Sequence, residues 1–521
     1  MNLPQLTSQD FLPLIPALIL ASAAVVLMLS EAFLTSENRS YQPTIAFTSS
    51  VVAGAFALAL FFRPAREVLN GMGVIDPLSM FVTAVVCLGL AIVVLLAAGF
   101  LHQRRAERGE FYALALFAAC GMTLLALSAE LITLFVNLEI LSIATYALTA
   151  YLRRGVRPAE AAFKYFLLGA FSSSVFLYGA ALLYGATGST QLSAIAGALP
   201  GATREMPALV YCAIALIAAG LAFKVAAVPF HMWTPDVYEG APTPVTALMS
   251  AGVKAAAFAA LVRVFWSLSQ GVSGGLAAPL FSTLALLTMV FGNILALPQR
   301  NVKRMLAYSS IAHAGYVLLG VASLFAVPPA SEGTGSIVGT IRLPALSSDA
   351  LARSTALRGI LFYLLAYTVT VIGAFGILGV IERREDEDKP NAWDLNRFSG
   401  LAQRRPALAF AMAAFMLSLG GIPPTAGFMG KLLIFQAAVD SGLVGLAVIG
   451  VLSSAVGVYY YLRVVVYMFM RPAPEEPAGP EPGWATNAAL VASTVGVLLL
   501  GIAPGTVSSW LTSAQLMFGL R

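Results

Sequence analysis

An all-α membrane protein of about fourteen transmembrane helices is the fold class this sequence predicts. Three observations predict it. Of its 521 residues, 59% are hydrophobic and only 11% are charged, about half the charge of a soluble domain. The apolar residues recur in runs of about eighteen or more, each long enough to cross a hydrocarbon core about 30 Å thick. Lysine and arginine gather in the short loops between those runs.

Taken in order, the apolar runs fall near 11–33, 42–62, 76–100, 111–128, 131–151, 161–185, 207–229, 244–268, 278–297, 304–325, 358–381, 405–438, 441–469 and 486–513. The first has no basic leader or small-residue cleavage site before it, so it is expected to be retained. Basic residues follow the odd-numbered spans: Arg104, Arg105 and Arg108; Arg153, Arg154 and Arg157; Arg300, Lys303 and Arg304; Arg383, Arg384, Arg397, Arg404 and Arg405. Basic loops mark the side that was not translocated, so both termini are expected on the non-cytoplasmic face. Arg63 and Arg66 run against that pattern. The longest non-apolar stretches, 326–357 and 471–485, read as loops or linkers. Neither can bury a core of its own, which leaves one membrane domain spanning 1–521.

Composition also excludes functions. The net charge is only +5 and no aromatic-interleaved basic stripe occurs, so nucleic-acid binding has no support. Cys87, Cys120 and Cys212 sit singly in apolar runs, without CxxC spacing. They read as small buried hydrophobes, not as ligands of a metal or an iron-sulfur cluster. There is no phosphate loop, GxSxG, HExxH or dinucleotide fingerprint, so no redox chemistry is expected in this chain.

Two spans carry the same defect. The seventh runs through Lys224 into 'PFHMWTPDVYEGAPTPV', and the twelfth is interrupted by 'GGIPPTAGFMG' just before Lys431. Proline removes a backbone donor and obstructs the preceding turn, so both helices are expected to break. Paired breaks in two halves of an apolar chain point to inverted repeats. The expected repeats are five helices each, over 111–268 and 278–469, with 1–100 and 486–513 flanking them.

Charges inside the spans are the sharpest signal, because each costs about 3 kcal/mol or more at mid-bilayer unless paired or hydrated. Glu139, in 'LFVNLEILSIATY', lies roughly 12 Å into its helix, with Ser142 and Tyr146 on the same face. Lys224 precedes the first break, Lys254 stands in 'MSAGVKAAAFAAL' one turn after Ser250, and Lys431 follows the second break. Burial penalises an ammonium and a nearby carboxylate favours it. A lysine that alternately faces and leaves Glu139 can therefore load and release a proton, which arginine cannot do. A static ion pair, or a lysine whose stem reaches to the interface, is the competing account.

His313, in 'MLAYSSIAHAGYVLLG', shares a face with Ser309, Ser310 and Tyr316, and suits either a relay between the halves or an ordinary core position. Lys164 is a candidate accessory to Glu139, or a surface lysine. Asp76, Glu130, His231, Asp236, Glu239, Lys303 and Asp440 lie near predicted span ends, where solvated or capping roles are the default.

The segments 'LFVNLEILSIATYALTAY', 'FKVAAVPFHMWTPDVYEGAPTPV', 'SAGVKAAAFAALVR', 'RNVKRMLAYSSIAHAGYVLLG' and 'LSLGGIPPTAGFMGKLLIF' resemble the antiporter-like subunits of respiratory complex I, NADH-quinone oxidoreductase, and most closely its subunit N family. The resemblance covers nearly the whole chain. It implies fourteen helices in two inverted five-helix repeats with broken helices seven and twelve. It also implies Glu139 and Lys224 as a coupled pair, Lys254 as the connecting lysine, His313 on the path and Lys431 as the output-side carrier. Lys431 stands where one sister type places glutamate, and 'YYYLRVVVYMFM' at 459–470 looks like subunit N.

By the same resemblance, FMN, iron-sulfur clusters and quinone belong to partner subunits, with none in this chain. The partners are other complex I membrane subunits and the bilayer, in the inner (plasma) membrane. The long 326–357 loop departs from the family's shorter connection. Two other readings compete: an Mrp-type cation/proton antiporter subunit, revealed by sodium-dependent exchange without quinone reduction, and a non-catalytic scaffold, for which Lys224→Ala or Glu139→Ala leaves transport unchanged.

Overall fold

The computed structural model describes residues 8–33, 41–152, 155–269, 275–326, 348–382, 392–473 and 481–513. Arg153, Arg154, Arg383, Arg384, most of the 326–357 stretch and part of 471–485 lie outside them.

Helices α1 (Ile15–Phe33) and α2 (Tyr41–Phe61) are followed by a small antiparallel hairpin of β1 (Arg66–Val68) and β2 (Gly73–Ile75), paired Arg66 to Ile75. The chain continues through α3 (Pro77–Gln103), α4 (Gly109–Leu127), α5 (Leu131–Thr149), α6 (Val156–Thr187), α7 (Leu192–Glu205) and α8 (Pro207–Val225). Next come α9 (Trp233–Gly240), α10 (Thr243–Leu248), a π-turn at Met249–Val253, α11 (Lys254–Ser269), α12 (Ala277–Ala296), α13 (Val302–Phe325) and α14 (Ser348–Ile381). The last are α15 (Leu401–Arg404), α16 (Pro406–Gly420), α17 (Ala426–Asp440), α18 (Val444–Met470), α19 (Trp484–Ile502) and α20 (Gly505–Ser513).

Among the described residues, thirteen helices are long and apolar enough to cross a membrane. The remaining expected span, 405–438, is realised as two half-length helices, α16 and α17, because 'GGIPP' ends the first at a left-handed Gly421 with φ 78°. The seventh span breaks as expected: α8 stops at Val225, Ala226 is left-handed at φ 60°, and α9 resumes at Trp233. Both breaks contain a cis peptide, Val228-Pro229 and Pro423-Pro424.

The bundle is layered by burial. The apolar windows of the α10–α11 run and of α13 are 100% and 94% buried, whereas those of α2, α18 and α19 are 33% buried. Outward helices expose aromatic and aliphatic side chains such as Phe163, Phe171 and Tyr178 on α6; a bilayer tolerates these as solvent, which water would not. Close approach of α12 and α13 depends on reciprocal glycines. A Cβ on Gly292 would lie 2.5 Å from Ala312 N, and one on Gly315 would lie 2.6 Å from Met289 N.

Cys87 and Cys120 are buried as expected, but Cys212 is exposed. It sits on the outward face of α8, where the surrounding solvent is apolar, so a small hydrophobe is accommodated there without burial.

Candidate functional site

A row of buried polar groups runs through the innermost helices. Lys224, in the last turn of α8, is 2% exposed and donates to Ser142 Oγ at 2.8 Å. Its ammonium lies 5.6–5.8 Å from the ring centroids of Tyr146, Tyr165 and Phe223. Trp233, the first residue after the break, stacks on Tyr165 at 4.7 Å and on Phe223 at 5.3 Å, and donates Nε1–H to the Phe223 carbonyl at 3.1 Å. Glu139 is half-buried on α5 and its Oε1 is enclosed with no hydrogen-bond partner.

Lys254 opens α11 directly after the π-turn and is 3% exposed. It donates to both the carbonyl and the hydroxyl of Ser310 on α13. Ser250, one turn earlier, instead bonds the Ala247 carbonyl at 3.0 Å. His313 on α13 sits between two tyrosines, with Nδ1 2.6 Å from Tyr363 OH and Nε2 3.0 Å from Tyr461 OH. Tyr461 also shares a short hydrogen bond with Ser309. Ser309 and Ser310 thus serve opposite neighbours from one helix.

Lys431 on α17 is held by the end of α16. Its ammonium donates to the Leu419 and Gly420 carbonyls at 2.9 and 3.2 Å and to Ser454 Oγ on α18 at 2.7 Å. The break supplies those carbonyls, since the last carbonyls of a helix lack intrahelical donors and carry its negative dipole end. Tyr316 lies beneath, its ring centroid 4.9 Å from the ammonium.

Lys164 is not brought to Glu139. It is 41% exposed and pairs with Glu160 at 2.8 Å and Asp236 at 2.9 Å. Arg304 binds Asp236 and Glu239, each at 2.8 Å. Two residues expected to be solvated or capping are deeply buried. Lys303 is 0% exposed, donates to the Ala241 carbonyl at 2.7 Å and lies 4.2 Å from the Trp393 ring centroid. Asp76 does cap α3, accepting from Ser79 N at 2.8 Å, but is also buried against Arg263, which donates to its two carboxylate oxygens at 3.0 Å each. At the other end of α3, Arg104 donates to Glu382 at 2.6 Å.

Sequence reasoning missed Tyr363, Tyr461, Ser454, Arg263, Arg104 and Glu382. For Tyr461 the hint was a tyrosine triplet, 459–461, inside an otherwise apolar span, and for Arg263 a charge inside the 244–268 run; the others carried no local signal. Among the described residues no group of three His, Cys, Asp or Glu side chains could hold a metal.

Buried Arg104 and Arg263 each face a carboxylate, as a permanently charged buried cation requires. Among the described residues, the hydrogen bonds of Lys224, Lys254 and Lys431 run to hydroxyls and backbone carbonyls. A hydroxyl accepts from an ammonium and donates to an amine, so it serves a lysine in either protonation state.

A bundle with two broken spans and titratable groups along its interior is, by class, an antiporter-like polytopic membrane subunit. The model of the family described as NADH:quinone oxidoreductase/Mrp antiporter, TM, matches residues 128–327 and 345–457. Over 520 residues the chain is 64% identical to NADH-quinone oxidoreductase subunit N of Myxococcus xanthus, covering all of both sequences. It is similar to a chain of respiratory complex I from Thermus thermophilus with bound aureothin, with TM-score 0.77 and 38% identity, covering 96% of this chain and 100% of that one. The Mrp complex from a Dietzia species shares the fold, with TM-score 0.80 at 23% identity, covering 98% and 97% of the two chains. The chain belongs to the NADH-quinone oxidoreductase subunit N family.

Proposed function

We propose that this chain translocates protons within an assembled NADH-quinone oxidoreductase through Glu139, Lys224, Lys254, His313 and Lys431, while electrons pass from NADH to quinone in partner subunits. FMN, iron-sulfur clusters and the quinone site belong to those partners. One observation carries the reading: of the four deeply buried lysines among the described residues, Lys224, Lys254 and Lys431 each hydrogen-bond a serine hydroxyl along the bundle interior, a partner that accepts from an ammonium and donates to an amine, whereas Lys303 is fixed on a backbone carbonyl.

Lys224 exchanges protons with Glu139 by leaving Ser142. Lys254 links the two halves through Ser310, and His313 with its tyrosines lies between Lys254 and Lys431. Lys164 stands apart as an accessory group. The two halves, 111–268 and 278–469, act as inverted repeats around their broken helices, with 1–100 and 486–513 as flanking helices. Moving one charge against 100 mV costs about 2.3 kcal/mol. The chain therefore receives its driving energy laterally, from neighbouring membrane subunits of the complex. It resides in the inner membrane with both termini on the non-cytoplasmic side, a placement that most of the basic loops support.

The test is the proton-to-electron ratio of assembled complex in vesicles carrying Lys224→Ala or Lys431→Ala. Pumping should fall while the complex remains assembled. Normal pumping in both variants would refute the carrier assignment, and sodium-dependent exchange without quinone reduction would favour the Mrp-type alternative.

A further inference from the structure

Between His313 and Lys431 lies a row of buried hydroxyls interrupted by one side chain of different chemistry. Tyr461, bonded to His313 and Ser309, packs on Tyr460 with ring centroids 4.4 Å apart. Tyr460 OH donates to Asn293 Oδ1 at 2.9 Å. Asn293 Nδ2 donates to Tyr316 OH at 3.1 Å. The Tyr316 ring centroid lies 4.9 Å from the Lys431 ammonium, which donates to Ser454. Asn293, on α12, is 2% exposed.

The orientation of that amide is dictated by its surroundings. Asn293 Nδ2 also donates to the Met289 carbonyl at 2.9 Å. A backbone carbonyl only accepts, so the atom facing it must be the NH2 group. The oxygen is then left to Tyr460 and the remaining N–H to Tyr316. Gly457 on α18 provides the space: a Cβ there would lie 2.9 Å from Asn293 Oδ1.

We infer that Asn293 is an insulating link, a positioning residue hydrogen-bonded to Tyr460 and Tyr316 between the His313 tyrosines and the Lys431 site that passes no proton. A hydroxyl takes a proton on its lone pair and releases its own; a neutral amide offers an acceptor oxygen on one side and non-acidic N–H groups on the other. A proton arriving at Tyr460 therefore stops there. Because Asn293 donates to Tyr316, the Tyr316 hydroxyl hydrogen is turned away from the amide. The membrane potential pushes pumped protons backwards at about 2.3 kcal/mol per 100 mV, and an unbroken hydroxyl wire would conduct them. With the amide in place, transfer to Lys431 waits for a different alignment of its neighbours.

This inference rests on the proposed proton path, and the test separates the two. Assembled complex with Asn293→Asp is reconstituted in vesicles without NADH, a pH step is applied, and passive proton leak is read with an entrapped pH dye. A carboxyl accepts a proton on one oxygen and releases one from the other, so the leak should rise several-fold. It should return to the wild-type level when Lys431→Ala is added. Asn293→Leu, similar in size and unable to carry a proton, should show no added leak, which a general packing defect would not reproduce. If the carboxyl prevents assembly, Asn293→Ser, which admits a water beside its hydroxyl, takes its place with the same leak expected. A leak equal to wild type in an assembled Asp or Ser variant, or an equal rise with Leu, overturns the inference. The carrier reading instead fails on normal pumping in Lys431→Ala, whatever the leak.

Discussion

Lys224 donates its ammonium to the Ser142 hydroxyl at 2.8 Å, on the face of α5 that also carries Glu139 three residues earlier. The lysine is thus parked one turn along from the carboxylate, at a group that can hold it charged or neutral. Glu139 Oε1 meanwhile stays enclosed and unbonded, an arrangement that favours the lysine's return.

Removing the parking group should trap that exchange. Ser142→Ala leaves a buried ammonium without its acceptor, at a cost of about 1–3 kcal/mol, and Lys224 should swing to Glu139. The expected result is assembled enzyme with a reduced proton-to-electron ratio and near-normal NADH oxidation. A Ser142→Ala complex that pumps with the wild-type ratio would show that the hydroxyl has no part in the exchange.

At the second break, a single Cβ should displace the carrier. Gly421 adopts φ 78°, and a Cβ there would lie 2.8 Å from Lys431 Cδ. Gly421→Ala should therefore cost roughly 1–2 kcal/mol in left-handed backbone and push the ammonium off the Leu419 and Gly420 carbonyls. Pumping should drop with the complex still assembled, whereas Gly445→Ala, with nothing within 4 Å of the added carbon, should behave as wild type. Equal pumping by the two variants would contradict the carbonyl cradle.

The two ends of α3 are fastened by the buried pairs Asp76–Arg263 and Arg104–Glu382, with every side chain no more than 4% exposed. Removing one partner leaves an uncompensated buried charge, so Arg263→Ala should destabilise the subunit by about 3–5 kcal/mol. The check is the thermal midpoint and yield of the assembled complex. The double substitution Asp76→Asn with Arg263→Gln, which buries no charge, should recover much of the loss. A double variant no better than Arg263→Ala would argue against an electrostatic fastening.

The spans and both breaks were legible because lipid imposes a length on apolar runs and proline imposes an end on helices. The charges inside spans were equally visible, since Lys224, Lys254 and Lys431 interrupt runs that contain almost nothing else polar. Their partners were not visible. Ser142 shares a face with Glu139 and could be anticipated, but Ser310 is 56 residues from Lys254, Ser454 is 23 from Lys431, and Arg263 is 187 from Asp76. Such pairings arise from helix packing and leave no periodicity in the chain. The same ignorance misplaced Lys303, whose position near a span end conceals a site enclosed by Ala241 and Trp393.

Outside the spans, Asp236 on α9 gives a pH signature. Burial pushes its carboxyl up, but the hydrogen bonds from Lys164 and Arg304 outweigh it and hold the group below the usual carboxylate range. Arg157, Glu160 and Glu239 line the same cleft, about 170 Å³ in volume. A depressed folded value means the unfolded chain binds the proton more tightly. The stabilisation is therefore present above the unfolded carboxyl's pKa of about 3.9 and is lost as pH falls through the folded value. Asp236→Asn should lower the thermal midpoint slightly at pH 7, the effect being small because the side chain is 35% exposed. The gap should close in acid, and a gap that persists there would mean that packing, not charge, is responsible.

Among the described residues, His313 has no carboxylate beside it in the hydrogen-bond network; its two ring nitrogens meet Tyr363 at 2.6 Å and Tyr461 at 3.0 Å. Among the described residues, it is Tyr461 that continues toward another polar group, Ser309, which neighbours the Ser310 that receives Lys254. Replacing Tyr461 by phenylalanine removes one hydroxyl and almost no volume, so the core should remain packed. His313 would keep Tyr363 but lose its link toward Lys254. Tyr461→Phe should thus lower the proton-to-electron ratio and introduce a solvent isotope effect on NADH-driven pumping, while Tyr363→Phe, on the branch that does not lead to Ser309, should lower pumping less. If the two variants reduce pumping equally, His313 is served through both nitrogens alike, and the directional role assigned to Tyr461 fails.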